Sequence, residues 1–447
     1  MKLLDIVYKY TPIWFQNLMC SVKGWMIQRR RYNKNFYVEL GKFEREEYSQ
    51  DKELVDFLLK IKDLPIYRHI LTDDIVQNIK KGVDIKSIIK LFPIIDKKFV
   101  KEHHGDFVNT NIGKDIIEMR TSGTTGSGLI FPYTVEMENK QWAVWWRYRR
   151  WLGVDVNTWC GWFGGRQIMA KECNKSPFWR INGPGKQVMF SSFHLNSNNI
   201  KFYYDEILNR NLTWLHGYPS NISRLAALII DRGLNPMDKV SVVTTGAENV
   251  IANQIKLIKK AFPNAIIRQH YGLNEGVANI SQTKSGEWKV DDDFCFVEFV
   301  PLDESNPNIC KIIGTGFSNL AFPLVRYDTG DIAQIEYIDG AMKILSIDGR
   351  SSNVIKQPNG QEICEASLSI FLHDYSNIVE AQFYQRSLGE VELRIVKGAQ
   401  YSDMDEKSIY INAKKWFSED IHFYIKYVSV VEKTKAGKLK LVISDLD

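Results

Sequence analysis

Apolar residues recur at helical spacing through the first hundred positions. Trp14, Phe15, Leu18, Met19, Trp25 and Met26 lie near that spacing within residues 3–31, ahead of Arg29-Arg30-Arg31. Leu54, Phe57, Leu58 and Ile61, then Ile75, Ile79, Ile85, Ile88 and Ile89, repeat it and predict packing helices of a large domain. Residues 136–151 hold Trp142, Val144, Trp145, Trp146 and Tyr148 between arginines, which predicts a long core helix with a charged outer face. The pattern then shortens to apolar runs at 213–216, 240–245 and 265–270, read as buried parallel strands, with helical patterns at 219–231 and 250–261. Strand and helix in alternation argue an α/β fold. Past residue 290 strands dominate, at 294–300, 309–314, 332–337 and 342–346, with an Asp339-Gly340 turn before the last. A boundary near 348–353 leaves a small α+β tail: strands at 381–384 and 391–396, a helix at 405–416, and strands at 428–431 and 439–443. The expected division is therefore 1–348 and 349–447.

Composition narrows the partners. Lys and Arg number 58 against 53 Asp and Glu, a formal +5, which demands neither nucleic acid nor an anionic membrane. Aromatics interleaved with Arg147, Arg149 and Arg150 suit single-strand stacking, but the core-helix reading accounts for them and no nucleic acid is expected. Six cysteines without a C-x-x-C pair argue against zinc and for reduced thiols. The N-terminus lacks a leader-like apolar run with a cleavage site, and nowhere do 18 apolar residues run together, so a cytoplasmic location is expected. The 3–31 segment suits either a bilayer surface or a helix packed on the large domain, and the packed helix is the expectation.

The chemistry concentrates in a series of short motifs. Arg120-Thr121-Ser122-Gly123-Thr124-Thr125-Gly126-Ser127-Gly128 reads as a phosphate cradle, with glycines that turn backbone N–H groups toward an anion and uncharged hydroxyl donors beside them. It is not a Walker loop, since no Gly-Lys-Ser/Thr follows. Downstream stand Gly246-Ala247-Glu248, Tyr271-Gly272-Leu273-Asn274-Glu275, Arg326-Tyr327-Asp328-Thr329-Gly330-Asp331, a segment from Asp348-Gly349-Arg350 to Lys356, and Gly437-Lys438. In this order the motifs resemble the adenylate-forming superfamily of acyl-CoA synthetases, peptide-synthetase adenylation domains and luciferases. Leu91-Phe92-Pro93-Ile94-Ile95-Asp96-Lys97, Gly217-Tyr218-Pro219-Ser220 and the compact length bring the chain nearest to the phenylacetate-CoA ligase branch and its capsule-polysaccharide relatives.

That resemblance implies a large multi-subdomain adenylate-forming domain and a mobile C-terminal lid. It implies ATP and Mg2+, a small-molecule carboxylate, and a thiol acceptor such as coenzyme A, or an amine. Thr121, Ser122, Gly123, Thr124, Thr125 and Gly126 would hold the phosphates, with Thr124 or Thr125 touching phosphate or magnesium. Glu275 would be the magnesium carboxylate, Tyr271 with Gly272 would stack on adenine, Asn274 would meet the α-phosphate, and Gly246, Ala247 and Glu248 would line the adenine edge. Asp331 and Arg350 would clamp the ribose hydroxyls. Lys438 would reach both carboxylate and α-phosphate, and Asn353 would be the hinge. By position His194, His216, Gly217 and Tyr218 border the acyl pocket, although either histidine equally suits a core role with satisfied ring nitrogens. The chain departs from the family at the loop, where Ser127, Gly128 and Leu129 stand in place of a lysine, and at Asn274 and Asn353. A nucleotide-binding homologue without activity, or a membrane-peripheral polysaccharide assembly factor, are the rival readings.

Overall fold

The computed structural model describes residues 8 and 10–446, apart from 114, 122–127, 249, 251, 305, 351–353, 373, 374, 376, 399, 435 and 436. The chain forms two compact units. One comprises Met1–Trp25, Val156–Gln269 and Asp348–Asp447, the other Met26–Asp155 and His270–Ile347.

In the second unit β1 (Ile116–Arg120) and β2 (Ile130–Thr134) pair antiparallel with Arg120 opposite Ile130, so they flank the glycine loop. The Thr134 side chain then accepts from the Met137 N–H and caps the Val135–Trp151 helix. The first unit holds β3 (Cys160–Phe163), β4 (Trp179–Asn182), β5 (Gln187–Phe190), β6 (Trp214–Gly217) and β7 (Val242–Gly246), in the order β7-β6-β3-β5-β4. β3, β5, β6 and β7 run parallel, and β4 closes one edge antiparallel to β5. Residues 242–245 are all buried, as a parallel strand covered on both faces requires. β8 (Ile266–Gly272) follows and carries the chain into the second unit, where residues 270–272 pair antiparallel with β9 (Asn279–Gln282), itself paired with β10 (Trp288–Val290). β11 (Phe296–Asp303), β12 (Asn306–Gly316), β13 (Leu324–Ile338) and β14 (Ala341–Arg350) form a four-stranded meander.

The tail contains the pair β15 (Val354–Lys356) and β16 (Glu362–Cys364), then β17 (Ile378–Gln385), β18 (Glu390–Lys397), β19 (His422–Tyr427) and β20 (Val442–Ser444), ordered β19-β18-β17-β20. Its own apolar core includes Leu368, Phe371, Phe383, Leu393, Ile409 and Phe417. The strand expected at 428–431 lies earlier, because β19 pairs parallel with β18 from Glu390↔His422 to Ile395↔Tyr427. The Val428 N–H closes that ladder on the Ile395 carbonyl, after which the chain turns. The strand expected at 439–443 shortens to β20, and Leu439 instead makes an isolated bridge with Lys433.

The two aromatic-rich helices part company. In Val135–Trp151 the expected charged outer face is largely absent, since Arg147 and Arg149 are buried. Arg147 donates to Asp291 at 2.7 Å and to Asp293, and the Arg149 guanidinium lies 4.8 Å from the Trp146 ring centroid. Buried carboxylates and ring faces draw these cations inward. In Ile13–Arg31 the inversion runs the other way: Gln16 and Gly24 are buried while Trp14, Leu18, Val22, Trp25 and Met26 are 66%, 50%, 50%, 51% and 61% exposed. The expected apolar packing fails because this helix meets the edge strand β4, which offers backbone groups. The Ile181 N–H donates to Asn17 Oδ1 at 2.9 Å, Ser21 Oγ donates to the Ile181 carbonyl at 3.3 Å, and the Gly183 N–H donates to Ser21 Oγ at 3.2 Å. Polar side chains satisfy the strand edge, so the apolar ones face away. A Cβ on Gly24 would lie 1.9 Å from Asn182 Oδ1, which fixes the close approach.

Candidate functional site

The second unit gathers Thr121, Tyr271, Asn274, Glu275 and Asp331 of the residues assigned to nucleotide. Within β13 Thr329 Oγ1 donates to the Ile312 carbonyl at 2.9 Å and accepts from the Asp331 N–H at 3.1 Å. Gly330, with φ +76°, makes the tight step between them. The Tyr271 hydroxyl donates to Asp331 Oδ2 at 2.9 Å. Burial, and next the Asp331 carboxylate, push that hydroxyl well above the ordinary tyrosine range, so it stays a donating phenol. Glu275 is buried, and Gln141 Nε2 donates to the Leu273 carbonyl at 2.8 Å, pinning the turn that carries it. Asn274 Nδ2 points to the Arg120 carbonyl at 3.5 Å, at the start of the glycine loop.

Thr121 anchors that loop. Its N–H donates to the Leu129 carbonyl and its Oγ1 accepts from the Leu129 N–H, each at 2.9 Å. A Cβ on Gly128 would lie 2.2 Å from the Thr121 carbonyl oxygen, so this closure requires glycine. Lys97 Nζ also donates to Thr121 Oγ1, at 3.1 Å. The Asp96 side chain caps the Lys97–Glu102 helix by accepting from the Phe99 N–H, and Ile95 bridges to Tyr327 in β13. Lys97 was not among the residues singled out from sequence. The signal available was the 91–97 segment, which marks the family branch but does not reveal that its lysine reaches the loop.

The first unit gathers the rest. Gly217 lies at the end of β6, where a Cβ would stand 2.4 Å from the Phe163 carbonyl oxygen, and Tyr218 precedes the Pro219–Asp231 helix. His216 Nδ1 lies 2.9 Å from Thr244 Oγ1. His194 is buried with both ring nitrogens engaged, by Ser191 Oγ at 2.7 Å and the Lys171 carbonyl at 3.2 Å, the arrangement of a satisfied core histidine. β7 ends at Gly246, and Ala247 adopts a left-handed φ of +66° that turns the chain toward Glu248. Glu248 accepts from the Ser220 N–H at 3.2 Å and from the Leu439 N–H at 2.7 Å, while burial raises its carboxyl above the usual range.

Lys438 rides on the turn those bonds hold. Thr434 N–H donates to the Lys438 carbonyl at 2.8 Å, and the Lys438 N–H returns to Thr434 Oγ1 at 3.1 Å. Gly437, with φ +73°, would place a Cβ 2.7 Å from Gly165 Cα, so two backbones meet there without side chains. Lys433 Nζ lies 3.1 Å from Glu380 Oε1 and donates to Asn221 Oδ1 at 3.1 Å, and Arg224 Nη1 donates to Glu380 Oε2 at 3.0 Å. So held, Lys438 Nζ stands 5.9 Å from the Tyr218 ring centroid. Sequence reasoning missed Glu380, Arg224 and Lys433 as a unit.

The first unit thus brings together Tyr218, Glu248 and Lys438, and the second brings together Thr121, Asn274, Tyr271 and Asp331. Ser122, Gly123, Thr124, Thr125, Gly126 and Asn353 lie outside the described residues, and Arg350 ends β14. Among the described residues no three His, Cys, Asp or Glu side chains cluster as a metal site. The single buried carboxylate of Glu275 fits magnesium, which takes one or two protein ligands beside phosphate oxygens and water.

Residues 355–445 match the family model described as the CapK C-terminal domain. Protein CapK of Staphylococcus aureus is 26% identical over 463 residues, covering 99% of this chain and 100% of that protein. Among solved structures, 2-hydroxyisobutyryl-CoA ligase in the postadenylation state in complex with 2-HIB-AMP superposes with a TM-score of 0.63 at 13% identity, over 89% of each chain. The GH3.15 acyl acid amido synthetase superposes with a TM-score of 0.56 at 12% identity, over 85% of each chain. The chain therefore has the α/β fold of the adenylate-forming ligases, with a C-terminal part similar to that of CapK.

Proposed function

We propose that this chain activates a small carboxylic acid as its acyl-adenylate at the expense of ATP and passes the acyl group to a thiol or an amine. The observation that carries the reading is the seating of Lys438: Glu248, from the Gly246-Ala247-Glu248 motif, accepts the N–H of the residue after the lysine. Two motifs far apart in sequence are thus joined within one unit, which supports a shared role for them. Residues 349–447 would act as the lid on a body of 1–348, with Asn353 as hinge.

A carboxylate attacks the α-phosphorus of ATP, an oxygen–phosphorus bond forms, and the bond to pyrophosphate breaks. Charge grows on phosphate oxygens, so the protein must supply fixed donors rather than a nucleophile. Asp331 would accept the ribose hydroxyls, Arg350 would donate to them, and Tyr271 would hold the Asp331 carboxylate in orientation as well as face adenine. Thr121 and the glycine loop would hold the β- and γ-phosphates, and Lys97 would supply the cation that Ser127-Gly128-Leu129 lacks. Lys438 would neutralise charge between carboxylate and α-phosphate. Magnesium, held by Glu275, would add Lewis-acid stabilisation of the departing pyrophosphate. The similar proteins include a CoA ligase and an acid amido synthetase, which supports both acceptor classes; the resemblance to the capsule-polysaccharide branch favours a role in surface polysaccharide assembly, with an amine on a sugar or amino acid as acceptor.

The test is pyrophosphate release screened over sugar acids, amino acids and aromatic acids, with coenzyme A and amino sugars each offered as acceptor. Acid-dependent release that stops on leaving out magnesium is expected. ATP binding without release for any acid would leave a nucleotide-binding homologue instead.

A further inference from the structure

The turn that carries Lys438 rests against Gly165, and the residue after Gly165 is an arginine. That stretch of chain is held from several directions. The Phe163 carbonyl accepts from the Tyr218 N–H at 3.3 Å and from Asn221 Nδ2 at 3.0 Å. Gly164 packs on the Trp162 ring, where a Cβ would lie 2.0 Å from Cζ2. The Gly165 N–H faces the Tyr218 hydroxyl, which keeps its proton because burial, and next the Glu248 carboxylate, disfavour the phenolate. Phe163, Gly164 and Gly165 are buried and Arg166 is exposed, so Arg166 is the side chain with which this fixed segment meets solvent. The glycine contact also sets how far apart two cations are rooted. A Cβ on Gly437 would lie 2.7 Å from Gly165 Cα, and consecutive Cα atoms are about 3.8 Å apart, so the Cα atoms of Arg166 and Lys438 lie within about 12 Å of each other. Two long side chains rooted at that spacing reach one bound molecule.

We propose that Arg166 receives a carboxylate or phosphate group that a substrate carries away from the carboxyl group being activated. The substrate class is then a dicarboxylic or phosphorylated acid, or a phosphorylated acceptor. This rests on the adenylating reading, which puts the reacting carboxyl at Lys438 and the acyl group beside Tyr218. Charge is what selects the ligand. Lys433 already meets Glu380 at 3.1 Å, whereas no carboxylate among the described residues pairs with Arg166. Glu248 is occupied by the Ser220 and Leu439 N–H groups. A guanidinium presents a planar fork that either anion accepts through two oxygens. Exposed and hydrated, it is held ready at little cost; covered by a neutral substrate it loses that hydration with nothing in return, and covered by an anionic one it gains a charge-assisted pair. Arg166 therefore discriminates in both directions, as a specificity residue at the open end of the site.

Calorimetry on the full chain loaded with AMP tests this with two pairs of probes, butyrate against succinate and glucosamine against glucosamine 6-phosphate. In one pair the member with the extra anion should bind the wild type about tenfold or more tightly, the scale of one charged hydrogen-bonded contact. Arg166→Gln should erase that preference with its thermal midpoint unchanged, and Arg166→Lys should keep part of it. A preference among the acids assigns the anion to the acid, and one among the amino sugars assigns it to the acceptor. Equal binding within both pairs, no binding by any probe, or a preference that survives Arg166→Gln would overturn the proposal. Pyrophosphate release separates it from the catalytic reading: a preference that Arg166→Gln erases, without release for any acid, would keep the anion site and remove the activity.

Discussion

The Asp331 N–H donates to Thr329 Oγ1, two residues away, whereas the Lys438 hairpin is held by Glu248 and, through Lys433, by Asn221, at separations of 191 and 212 residues. Around Asp331 the nucleotide half is thus set within β13 and by Tyr271, while its loop side also uses long-range contacts such as Asn274 to the Arg120 carbonyl. The Lys438 half joins a segment with its own apolar core to residues 156–269 of the same unit. The two sets of residues therefore have different dependencies: the contacts around Asp331 lie largely in β13 and its partner Tyr271, those of the Lys438 turn in polar contacts between segments far apart in sequence.

Substitutions divide along that line. Lys438→Ala should lower acyl-adenylate formation by about 10²- to 10³-fold, the scale for losing one preorganised charge donor. ATP affinity should hardly change, and transfer from chemically made acyl-adenylate should persist. Equal damage to both half-reactions, measured by pyrophosphate exchange and by acyl transfer, would show that the halves are not separable. Asp331→Ala should weaken ATP and AMP binding by about 1.5 to 3 kcal/mol, the loss of a charge-assisted contact, with the fold intact. Unchanged calorimetric affinity would remove Asp331 from the nucleotide half. Glu380→Gln leaves Arg224 and Lys433 without their shared carboxylate, so adenylation should fall by about tenfold through poorer seating of the hairpin, on the scale of one weakened charged contact. ATP affinity should stay constant, and pairing Glu380→Gln with Lys433→Met should show coupling in a double-mutant cycle. Strict additivity would mean that Glu380 does not act through the hairpin.

What the sequence made legible follows the same division. β6 and β7 stand out as apolar runs because parallel strands are covered on both faces, whereas β8, expected to be equally buried, is mostly half-buried and its end pairs antiparallel with β9; the glycine and Asp331 motifs are short enough to recognise as written. Long-range polar contacts leave no such trace. Glu380 in β17, Arg224 in a helix and Lys433 in a loop each look like an ordinary solvated charge until the tail docks. Lys97 is similar, since its meeting with Thr121 depends on Ile95 bridging to Tyr327. The two aromatic helices expose the limit most clearly: periodicity identifies an apolar face in each, but not whether the opposing surface is a core or the edge of a strand. Buried Asp291 draws Arg147 in, and the backbone of Ile181 takes the polar side of Ile13–Arg31.

Gly437 against Gly165 gives the lysine turn a mechanical character of its own. Where side chains meet, a docked hairpin has a compressible cushion and can settle at several depths. Two bare backbones have none, and contact is a hard stop whose position varies little with load. The reach of Lys438 is then set by main-chain thickness, so even an alanine at Gly437 would act as a shim that leaves the ammonium short of its mark.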